Sequence, residues 1–259
     1  MIRQPSEPAE AKLSADHPFF DLIEEAYRVF ARPRPSRTGV CEGCCMDRKI
    51  EADFFNPPVR DLSLAYIRDW YSAACDVKGI PKGTWAYLLP RILEILAFGE
   101  DAGYVGIEVS LRRFDTGNPD NWSKAEWRVL ENFQKKFLLD QLESRKGFLD
   151  DTICMFRLAG WPLADLLNQL ASAPSSALAL RLWNDWCTWR AAGHESIWIT
   201  SFWEGPDKTT IFEFYTSRKL YDKMETLALD DDVDAELAEK ASAVAGVIEL
   251  NANWSSKPS

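Results

Sequence analysis

The sequence predicts an all-α protein: an irregular helical bundle or a short HEAT-like helical-repeat array, with at most one minor β-hairpin near 196–216. Three observations carry that reading. Apolar residues recur at three- and four-residue spacing along most of the chain. Ser123-Lys-Ala-Glu126 is a capping box opening a long helix. Strand-like stretches are few, and none has a credible partner nearby. No strict repeat period decides between bundle and array.

Taken in order, residues 1–13 are polar, hold two prolines and show no periodicity, which reads as a disordered tail. One domain then spans 14–250, and 251–259 reads as a flexible end. Asp16 and Pro18 announce a helix whose buried face is Phe20, Ile23, Tyr27 and Phe30. The prolines and glycines of RPRPSRTGVCEGCCM turn 32–58 into an irregular loop closed by NPP at 56–58. From Asp61 the helical period returns as Leu64, Ile67 and Tyr71. The segment TWAYLLPRILEILAF is apolar nearly all round, as in a helix buried on most sides, with Pro90 marking a kink or a late start.

The capping-box helix follows, lined by Trp127, Leu130, Phe137, Leu138 and Leu142. DTICMFRLA ends at Gly160, and PLADLLNQLA begins with Pro162 in a first-turn position. SALALRLWNDWCTW is helical. SIWITSFW and TTIFEFYTS have strand composition, although the second could open the helix carrying Leu220 and Met224. A last helix runs from about Asp234 to Leu250, and the aspartates at 230–232 and 234 suit its N-terminus.

The order YIRDWYSAACDVKG, YLLPRILEIL, capping-box helix, LAGWPLADLLNQL and C-terminal helix pair resembles a group of uncharacterised bacterial proteins. In that group a CxxC near residue 40 precedes an FLPRLLEL-like helix and a later LAGLDLAPLL-like segment. The likeness covers most of 20–250 and implies the helical fold, with no activity attached. Where the group often reads HFLPR, this chain has Tyr87-Leu-Leu-Pro90-Arg91, so a histidine able to complete a metal site is missing.

Composition narrows function by exclusion. At 259 residues folding buries roughly 70–75% of the unfolded surface, so neither metal nor disulfide is needed for stability. No run nears the ~20 apolar residues of a membrane-spanning helix, and the N-terminus lacks a signal-like apolar core. The expected compartment is the cytoplasm, where thiols stay reduced. A formal charge of −10 disfavours nucleic acid and suits a basic protein partner.

Candidate chemistry is sparse. Cys41, Cys44 and Cys45 crowd one loop, and with Cys75 they could form a four-thiolate zinc site. No second CxxC exists, so plain thiols and a redox pair stay open beside the metal. The remaining cysteines, Cys154 and Cys187, sit in helical patterns. His17 and His194 are the only imidazoles, and each reads as a helix-terminus residue rather than a catalytic base. No Glu-x-x-His pair marks a di-metal bundle, and no nucleotide motif appears. Asp150 and Asp151 read as helix capping. The tryptophans at 183, 186 and 189, flanked by Arg181 and Arg190, form either core or a protein-binding face.

The sequence thus points to a non-enzymatic helical scaffold that binds another protein, in one version an immunity- or antitoxin-like protein masking a basic partner. No cofactor is expected on that reading. The alternative is a metal- or thiol-linked protein, or an enzyme of unfamiliar type, built on the cysteines at 41–45.

Overall fold

The computed structural model describes residues 11–41, 43, 45–75, 79–144, 146–188, 195–252 and 254. Among these the protein is all-α, an irregular helical bundle without strands. Its one extended pairing there is an isolated antiparallel bridge between Val40 and Cys75. The hairpin expected near 196–216 is therefore corrected: 195–204 is irregular, and Gly205–Tyr215 is a helix. Pro206 opens that helix, and Ile211 and Tyr215, four residues apart, bury its inner face. None of the described helices is long and apolar enough to cross a membrane.

Where the sequence reads as one domain over 14–250, the chain gathers into two compact units. Unit 1 runs to Gln134 and includes Leu158–Gly160; unit 2 holds Lys135–Arg157 and the chain from Trp161 onward.

Unit 1 contains α1 (Phe20–Val29), α2 (Arg48–Asp53), α3 (Leu64–Ser72), α4 (Lys82–Ala97) and the first part of α5 (Lys124–Glu143). Helix α1 packs on α4. Every residue of α4 from Thr84 to Leu96 is buried, and the helix continues through Pro90. Burial so complete leaves Arg91 and Glu94 in the core, where they need partners. Arg91 donates to the carbonyls of Leu62 and Ala11, both at 2.8 Å, and to Glu94 Oε2 at 2.7 Å. Residues 11–13, read from sequence as disordered tail, are thus held: Ala11 is buried, and Leu13 N donates to Glu94. Buried tryptophans find acceptors in the same way, Trp70 on Thr38 O, Trp85 on Thr116 Oγ1 and Trp122 on Thr116 O. The capping box forms as the sequence predicts, with Ser123 N on Glu126 Oε2 and Glu126 N on Ser123 Oγ. At Gly160 φ is +104°, and an added Cβ would lie 2.1 Å from Asp115 Oδ1, so only glycine fits this turn.

Unit 2 contains the end of α5, then α6 (Leu149–Leu158, of which Leu158 counts with unit 1), α7 (Leu163–Ala171), α8 (Ser175–Cys187), α9 (Gly205–Tyr215), α10 (Arg218–Ala228) and α11 (Ala235–Asn251). Helices α8, α10 and α11 pack on one another. Ser217 caps α10, and Asp234 caps α11 by accepting from the amides of Glu236 and Leu237. Trp254, in the end read as flexible, donates to Thr216 O and sets its ring edge against Tyr221.

Candidate functional site

Helix α8 carries the residues singled out for binding, and it distributes them over different depths. Each three-residue step falls about 60° short of a full turn, so the tryptophan series drifts around the helix. Trp186 is turned inward, 1% exposed, with its ring edge-on to Tyr215 at 5.2 Å. Arg181 is also 1% exposed. It donates to Asp185 and to the carbonyls of Ser144 and Gly147, pinning the turn between α5 and α6. These two therefore support a surface from beneath rather than offering one. Trp189 and Arg190 lie outside the described residues, as do His194 and Cys44.

Trp183 remains at the rim. It is half-buried in a groove of about 570 Å³ formed by α8, the first turns of α11 and the end of α5. Leu142, Leu180 and Trp183 provide apolar walls; Glu143 and Glu236 provide carboxylates. A cation already lies on the ring: Lys240 Nζ sits 4.6 Å from its centroid and pairs with Glu236 one turn earlier. Arg181 also lines the groove, so two carboxylates and two cations face it, with the ring and Glu236 holding the ammonium of Lys240 between them. Beside it, the α10–α11 connection exposes Leu229, Asp230, Asp231, Asp232 and Asp234.

The cysteine loop approaches Cys75 through its backbone. Val40 pairs with Cys75, and Cys41 N donates to Ala74 O at 2.8 Å. Cys41 is half-buried; Cys45 and Cys75 are exposed. Among the described residues, no three His, Cys, Asp or Glu side chains converge as metal ligands. Cys75 Sγ receives an N–H from Arg113 at 2.6 Å. Of the histidines, His17 Nδ1 accepts from Phe19 N at the start of α1, a structural position.

Sequence reasoning missed Asp150. Read as a helix cap, it lies inside the first turn of α6 with its side chain buried. The amide of Leu149 bonds to Asp185 of α8. Asp150 Oδ2 accepts from Thr200 N at 2.7 Å and Trp203 Nε1 at 2.8 Å, and burial raises its pKa to about 7. Its partners are some 50 residues away, so no local signal betrays it.

The comparisons with known proteins add nothing to this geometry: no family model, curated protein or solved structure matches the chain.

Proposed function

We propose that the chain is a non-enzymatic helical scaffold that binds a basic protein, in the manner of an immunity protein covering a toxin. The observation that carries the reading is the Trp183 groove, an aromatic face and carboxylates that already accommodate a lysine ammonium. A formal charge of −10 and the acidic edge from Asp230 to Glu239 support it, because they steer a cationic partner toward that side of unit 2. Titration with a hexa-arginine peptide tests the reading, with hexa-glutamate as control. Binding is expected for the basic peptide alone, and it weakens as salt shortens the screening length. Equal binding of both peptides, or of neither, would overturn it.

A second reading rests on the pairing of Val40 with Cys75, which brings two cysteine-bearing segments together. In that reading Cys41, Cys44, Cys45 and Cys75 hold zinc. Elemental analysis of purified protein decides it: a filled structural site gives close to one zinc per chain, and less than roughly 0.2 removes it.

A further inference from the structure

We propose that Asp150 is a proton-operated latch: as a neutral acid it fastens the 195–204 segment across the start of α6, and its ionisation loosens that segment. The bonding pattern divides the two oxygens. Oδ2 takes both N–H donors, from Thr200 and Trp203, while Oδ1 is buried and accepts no hydrogen bond from the described residues. A buried carboxylate needs donors on both oxygens. A carboxylic acid needs them on its carbonyl oxygen alone and donates from its hydroxyl. This assigns Oδ2 as the carbonyl oxygen and Oδ1 as the hydroxyl, with the Tyr215 oxygen beside the carboxyl as its acceptor.

The surroundings favour the neutral form. Burial and the negative charge of Asp151 of α6 raise the pKa, while the Tyr215 hydroxyl of α9, hydrogen-bonded to the carboxyl, pulls it the other way. Asp185 of α8 adds to the negative field acting on Tyr215, and the nearby Arg181 is engaged with Asp185. No described Lys, Arg or His pairs with Asp150. Burial is the main cause that raises its pKa from 3.8 to about 7, against the pull of its donors. The rest of the segment is held without this proton: Ser196 N donates to Trp186 O, Trp198 Nε1 donates to Asp151, and the Trp198 ring stacks on Phe148 at 4.3 Å.

The sign follows from linkage. In the loosened segment Asp150 regains an ordinary carboxyl pKa, so opening binds fewer protons than the closed form. Opening therefore rises by up to about tenfold per pH unit between pH ~4 and ~7, then levels off. Asp150→Asn keeps an acceptor for the Thr200 and Trp203 donors and cannot ionise. Hydrogen exchange of the 195–204 amides, as the ratio of wild type to Asp150→Asn at each pH, removes the intrinsic pH dependence of exchange. The ratio is expected to climb roughly fiftyfold from pH 5 to 7 and to plateau above, near a hundredfold. A ratio independent of pH would overturn the proposal. A second measurement needs no variant: the Asp150 carboxyl carbon in NMR should report a neutral acid at pH 5.5 and ionise near pH 7. Finding it already ionised at pH 5.5 would also overturn the proposal.

Discussion

Arg181→Ala is expected to lower the unfolding free energy of unit 2 by about 3–5 kcal/mol, since it strands a buried charge. Its side chain bonds Asp185 through Nε at 3.0 Å and the 144–147 turn through both terminal nitrogens. Asp185 is itself buried, its pKa raised by that burial while Arg181 pulls the other way. Without the guanidinium, Asp185 must take up a proton or remain an uncompensated anion beside Leu149 N, and the carbonyls of Ser144 and Gly147 lose their donor. Against a typical domain stability of about 5–15 kcal/mol, the loss is large enough to read directly in a urea melt. Arg181→Met with Asp185→Leu should recover part of it, because no buried charge is left stranded, although Leu149 N and the carbonyls of Ser144 and Gly147 still lose their partners. A single variant within about 0.5 kcal/mol of wild type would contradict the geometry.

The second large effect belongs to unit 1. Arg91→Ala is expected to cost about 3–5 kcal/mol for the same reason. It deprives Leu62 O and Ala11 O of their donor and leaves Glu94 buried with Tyr27, whose hydroxyl donates to Glu94 Oε2 at 2.6 Å. Tyr27 is pushed well above the ordinary phenol range by burial and by Glu94, so no ionised tyrosine competes there. A distinct signature should accompany the loss: residues 11–13 are tied down by Arg91 and Glu94, and the cleavage of that segment by protease should speed up in the variant. Unchanged cleavage together with unchanged stability would contradict the role assigned to Arg91.

These two arginines show where the sequence was legible and where it was not. Helical periodicity and the Ser123–Glu126 box are local signals, and both predicted real helices. The all-apolar α4 segment announced its burial, and Pro90 did not interrupt it. The spacing of Trp183 and Trp186 leaves core and surface both open, and the drift of a three-residue step turns Trp186 into the core and leaves Trp183 half-buried at the groove. Sequence position alone groups Arg181 with the tryptophan face, because its acceptors, the carbonyls of Ser144 and Gly147, are over 30 residues away. Asp150 was hidden for the same reason. TTIFEFYTS has strand composition, yet its burial in the fold follows the four-residue spacing of Ile211 and Tyr215. Long-range satisfaction of buried polar groups decides such positions, and a single sequence does not display it.

The claim that unit 2 recognises a basic partner through Trp183 meets its most direct test in one variant. Trp183→Ala removes the aromatic face under the cation while leaving Trp186, Arg181 and the carboxylates in place. Its affinity for the hexa-arginine peptide should fall roughly tenfold, in line with loss of a cation–π contact and its apolar wall. Glu213→Gln, the same loss of one negative charge that removing a groove carboxylate would cause but at an exposed site on α9, serves as the charge control and should change binding little. Peptide binding by Trp183→Ala equal to that of wild type, in a protein that melts at the same temperature, would contradict the account.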